Sequence, residues 1–73
     1  MSTQFKEIET ELNEAVKNKI FKKDVIPREP GGYILVEQIF HIKTENNSTI
    51  PTVRLMSNTT GKIHEFSVKL LLG

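Results

Sequence analysis

The stretch "GGYILVEQIFHI", residues 31–42, decides how this 73-residue chain folds, because its apolar residues fall on both parities. A strand with one buried face alternates apolar and polar side chains. Here Ile34, Val36, Phe40 and Ile42 occupy even positions while Tyr33, Leu35 and Ile39 occupy odd ones. One parity must face the core, and the other needs a cover from this chain or from a partner.

Two further strand-like runs follow, 50–57 and 62–68, separated from the first by the turn-rich segments "TENNST" and "NTTG". Together the three runs read as an antiparallel meander over 33–70. A four-residue loop at 58–61 sets Val53 opposite Phe66, Leu55 opposite His64, Arg54 opposite Glu65 and Met56 opposite Ile63. A six-residue loop at 44–49 sets Phe40 opposite Val53, Gln38 opposite Leu55, His41 opposite Thr52 and Ile39 opposite Arg54. These registers assign Ile34, Val36, Phe40, Ile42, Val53, Leu55, Phe66 and Val68 to the core face. They leave Tyr33, Leu35, Glu37, Ile39, His41, Thr52, Arg54, Met56, Ile63 and Glu65 on a mixed outer face with an apolar centre.

Upstream, Phe5, Ile8, Leu12, Ala15 and Val16 repeat at helical spacing and fall within an arc of about 100°. They predict an amphipathic helix over 3–18, within an N-terminal helical segment 1–18, with Ser2 or Thr3 as its cap and Asn18 as a left-handed stop. The connector "KIFKKDVIPREPGG", 19–32, carries Pro27, Pro30 and the Gly31-Gly32 pair. Ile20, Phe21, Val25 and Ile26 pull it down onto the domain, with a short edge strand expected at 24–27, where Pro27 suits an edge. The fold class is therefore α+β in a single domain, 1–73.

A chain this short buries only about 60% of its unfolded surface, so its core has to be efficient. It contains no cysteine, which removes disulfides and thiolate metal sites and fits a reducing compartment. The acidic, periodic start lacks the features of a signal peptide, and "YILV" and "LLL" are too short to span a bilayer. A cytoplasmic protein is expected. Ten Lys and Arg against nine Asp and Glu leave a formal charge of +1, so no overall field points to nucleic acid or acidic lipid.

From Val25 to Leu70 the order of elements resembles the small SH3-like β-barrels, the group that includes KOW and Tudor-like modules. The features that carry this are the opening "EPGGYILVEQI", the long first hairpin, the tight second hairpin "VRLMSNTTGKIHEF" and the closing "SVKLLL". The resemblance implies a coiled sheet that closes on itself, and a binding function rather than a particular ligand. With one Tyr and no Trp, no aromatic cage is expected. The Lys, Asn, Ile and Thr usage is similar to that of small bacteriophage or mobile-element proteins.

No enzyme constellation is present: there is no cysteine nucleophile, phosphate loop, HExxH or paired-carboxylate signature. The expectation is a non-enzyme with no cofactor and no metal. His41 and His64 fall on opposite faces in these registers. Asn46, Asn47 and Asn58 match the glycosylation pattern but read as turn residues. The leading functional expectation is a protein-binding module, an adaptor or inhibitor, that presents Tyr33, Leu35, Ile39, Arg54, Met56 and Ile63 to another protein or to a second copy of itself. Arg and Met are favoured at the centres of such faces. The alternative is a nucleic-acid-binding barrel using Lys19, Lys22, Lys23, Arg28, Lys43, Arg54 and Lys62, with Tyr33 as the one stacking residue.

Overall fold

The computed structural model describes residues 4–73 and gives the expected α+β class. Helix α1 spans Phe5–Ala15 and runs without interruption into a π-helical segment, Val16–Phe21. Strands β1 (Tyr33–Leu35), β2 (Phe40–Lys43), β3 (Thr49–Ser57) and β4 (Ile63–Ser67) follow, and a short helix α2 (Val68–Leu72) closes the order. The expected caps Ser2 and Thr3 lie outside the described residues; Gln4 occupies the cap position without a side-chain bond.

The helical stripe packs as its spacing predicts. Phe5, Leu12, Ala15, Val16 and Ile20 are buried in one cluster with Ile26, Val53, Leu55 and Leu71, and Ile8 packs at its margin. Asn18 does not end the helix. The chain continues to Phe21, where the bonds Lys22 N to Lys17 O (3.0 Å) and Val25 N to Ile20 O (3.0 Å) skip five residues, and Asp24 turns it out at φ 52°. Those bonds also take the donor that an edge strand at 24–27 would need, and the segment forms no strand. Ile26 is buried there, while Val25 is 56% exposed.

β3 is the central strand. β4 pairs along one edge of it with Val53 opposite Phe66, Arg54 opposite Glu65, Leu55 opposite His64 and Met56 opposite Ile63, the register expected from a four-residue loop. β1 and β2 share the other edge and together are the expected first strand, broken in the middle. Leu35 faces Leu55 and Phe40 faces Thr52, so residues 36–39 lie against only 53 and 54. The two extra residues are taken up in a tight bend where Gln38 N donates to Val36 O at 2.8 Å, while Val36 N keeps a bond to Arg54 O at 2.9 Å. The sheet is open. Its strands pair only through β3, and the closure implied by the barrel resemblance is not formed among them.

The first hairpin differs from expectation by one residue. Lys43 pairs with Thr49, so the loop holds five residues, 44–48, with Asn47 at φ 61° and Thr44 N bonded to Ser48 O at 2.8 Å. A one-residue slip moves a whole strand to the other face. Tyr33, Leu35 and Ile39 therefore lie on the helix side with Val53 and Leu55, where they pack against the core. Ile34, Phe40 and Ile42, assigned to the core by the longer loop, stand on the opposite face, with Ile34 49% and Ile42 40% exposed.

The C-terminal turn completes the cover of the inner face. The Ser67 hydroxyl caps α2 by accepting from Leu70 N (3.4 Å), which aims Leu71 into the core. At the other end of β3, Asn58 N donates to Gly32 O at 3.0 Å and Asn58 Nδ2 to Gly31 O at 3.1 Å. These bonds tie the connector to the second hairpin.

Candidate interaction face

Because α1, the π-helical segment and α2 all cover the Val53–Leu55 side, the opposite side of the sheet has no layer over it among the described residues. Strand geometry arranges its side chains in rows. Ile34 on β1, Met56 on β3 and Ile63 on β4 form one row across the sheet, and Ile42 and Ile50 face each other at the far end. Ile34, Ile42, Ile50 and Ile63 are between 36% and 52% exposed. Single exposed apolar residues need no explanation, but several on one sheet face mark a surface suited to association.

Between these rows sits a polar and aromatic centre. Arg54 Nε donates to Glu65 Oε2 at 3.0 Å, the cross-strand pair expected from the sequence. The Thr52 hydroxyl, buried beneath, donates to the same oxygen at 2.8 Å. The Arg54 guanidinium lies over the Phe40 ring, 3.8 Å from its centre. The Thr52 hydroxyl first, and the Arg54 guanidinium second, hold the Glu65 carboxyl below its usual pKa against a smaller opposing effect of desolvation. The result is a hydrogen-bonded carboxylate beside a guanidinium that sits over an aromatic ring, both about one-third exposed.

Of the six expected contact residues, Arg54, Met56 and Ile63 share this face, and Tyr33, Leu35 and Ile39 do not, for the register reason given above. The face gains Ile34, Phe40, Ile42 and Ile50 in their place. A five-residue loop with Asn47 in the left-handed position was the available signal, since Asn is one of the few residues at ease there.

The basic residues scatter. The Lys19 ammonium donates to Leu71 O at 2.7 Å at the C-terminal end of α2. Lys43 and Lys62 lie at opposite ends of β3, about 26 Å apart along an extended strand. Lys23 is exposed on the turn after the helix, whereas Lys22 and Arg28 meet at a cleft beside Tyr33. His41 sits on the helix side near Gln4 and Phe5 rather than on the outer face, and His64 stacks edge-on to Tyr33 at 5.9 Å.

Comparison with known proteins finds no family model that matches this chain, no matching curated protein and no matching solved structure.

Proposed function

We propose that this chain is a non-enzymatic protein-binding module, an adaptor or inhibitor, that works through the open face of its sheet. The observation that carries this is the joint exposure of Ile34, Ile42, Ile50 and Ile63 around the Arg54–Glu65 pair, on the side of β3 that the helices leave uncovered. Such a face has the make-up of an interface centre: aliphatic side chains, Met56, Phe40 and an Arg already engaged by Glu65 and Phe40. Pre-ordering of Arg54 on Phe40 lowers the entropy lost on association.

Among the described residues no helix is long and apolar enough to cross a membrane, and a cytoplasmic location belongs to this same reading. The nucleic-acid alternative has less support, since its cations are spread over both ends of the sheet and Lys19 is engaged by α2.

Ile63→Glu tests the reading. The side chain is 52% exposed, so the variant should melt within about 4 °C of the parent. Proteins retained by the parent from a lysate should be lost from the variant, as should any concentration-dependent self-association in sedimentation. Retention of the same proteins by Ile63→Glu and by Ile34→Glu would move the function away from this face.

A further inference from the structure

On the helix side of the molecule, away from the open face, the π-helical segment and the connector flank a shallow, open cleft of about 550 Å³. That volume falls in the range of small-molecule sites. Its formation follows from the local backbone. Hydrogen bonds that skip five residues widen the helix, so Asn18, Phe21 and Lys22 share one wall with Lys17. π-helical turns of this kind are rare and concentrate at functional positions. Gly32, at φ 71°, turns the connector into β1 and supplies backbone rather than a side chain to the opposite wall.

The floor is aromatic. The Phe21 and Tyr33 rings lie 5.6 Å apart and inclined at 36°, and the Tyr33 hydroxyl donates to the Pro27 carbonyl, which fixes the ring. The rim carries Lys17, Lys22 and Arg28 against Glu29, with the Asp24 carboxylate beside Arg28. Arg28 is partly engaged by Asp24 at 3.3 Å, in a pair exposed enough to be weak. The Lys17 and Lys22 ammonium groups make no ion pair or hydrogen bond among the described residues. Partial burial first, and the charge of the neighbouring Glu29 second, raise the pKa of the Tyr33 phenol.

We propose that this cleft binds a small planar aromatic anion, its ring against Phe21 and Tyr33 and its carboxylate or phosphate between Lys17 and Lys22. Ring contact supplies apolar burial, and charge complementarity sets the orientation and excludes neutral analogues. This site is separate from the sheet face above, and neither reading depends on the other.

Amide chemical-shift titration of the full chain tests it, with naphthalene-2-carboxylate and adenosine 5′-monophosphate as carboxylate and phosphate probes and naphthalene-2-methanol as the neutral control. Saturable shifts at Lys17, Phe21, Lys22, Gly32 and Tyr33 are expected for at least one anion, and the stronger of the two identifies the acidic group preferred. The neutral alcohol should bind about tenfold more weakly or less. Lys17→Ala combined with Lys22→Ala should weaken the anion about tenfold while the melting temperature stays put, since both side chains are exposed. Equal binding of the alcohol, shifts centred on Ile34 and Ile63, or no saturation by about 10 mM of either anion would each overturn the proposal. So would an oligothymidylate that binds these residues when neither small anion does, an outcome that would assign the cleft to single-stranded nucleic acid.

Discussion

The Arg54 guanidinium lies over the Phe40 ring, 3.8 Å from its centre, and it does so only because Phe40 is paired with Thr52 rather than with Val53. One residue of register puts the ring on the open face beside the guanidinium. The alternative would bury it under the helix. A double-mutant cycle with Phe40→Leu and Arg54→Met should return a coupling of about 0.5–1 kcal/mol, the worth of a partly exposed cation–π contact. Strictly additive melts would show that the two groups do not touch.

The same register separates two truncations that a sequence pattern treats alike. Leu55 is 2% exposed on the helix side, and Leu55→Ala should cost about 2–5 kcal/mol. Phe40→Ala removes a larger side chain from a partly exposed position on the open face and should cost about 1–2 kcal/mol. At about 4–8 °C per kcal/mol for a domain of this size, thermal melts resolve the two. A larger loss for Phe40→Ala would return that residue to the core.

Glu65 makes stability depend on acid. Its folded carboxyl titrates below the usual value of 4.5, chiefly through the Thr52 hydroxyl and then Arg54. A depressed carboxylate pKa contributes stability that is fully present above the unfolded pKa and is lost as pH falls through the folded one. The melting temperature of the parent should therefore exceed that of Glu65→Gln at pH 6–7, and the gap should narrow once the pH drops below about 4.5. A gap that stays constant down to pH 2 would show that the carboxylate is not held by these partners.

Ser57 anchors the second hairpin from inside. It is 1% exposed, and its hydroxyl oxygen accepts from the Thr59 and Thr60 amides, each at 3.1 Å. Ser57→Ala strands two amides in the turn and should cost about 1–3 kcal/mol. Amide exchange at Thr59 and Thr60 is the local check, and unchanged protection there would show that water substitutes freely for the hydroxyl.

Lys19 ties the π-helical segment to α2 through its bond to the Leu71 carbonyl. A cation at a helix C-terminus and a satisfied carbonyl together contribute about 0.5–1 kcal/mol, so Lys19→Met should lower the melting temperature by a few degrees. The neighbouring Lys23→Met, exposed and without such a contact, should leave it unchanged. Equal melts for both variants would remove the cap.

Elements with local signals follow from the amino-acid pattern alone. The stripe from Phe5 to Val16 has one helical period and one apolar side, so its burial was legible. The loop at 58–61 has a single short length that fits its flanking strands, and from it follow the register of β3 with β4 and the Arg54–Glu65 pair. The face of 33–42 was not legible, because apolar residues on both parities satisfy either register and "TENNST" accommodates a loop of five residues or of six. Tertiary structure made that choice. The bend at 36–39 takes up two residues and returns Ile39 to the side of Leu35, and the helices then cover the Val53–Leu55 side, where Tyr33, Leu35 and Ile39 fill in around the core. The helix likewise ran past Asn18 because Ile20 is buried only if the turn continues, a gain that comes from packing and not from any local stop signal. The open face and the cleft exist as consequences of those two long-range decisions, and hydrophobic pattern alone cannot rank alternatives that bury equal numbers of side chains.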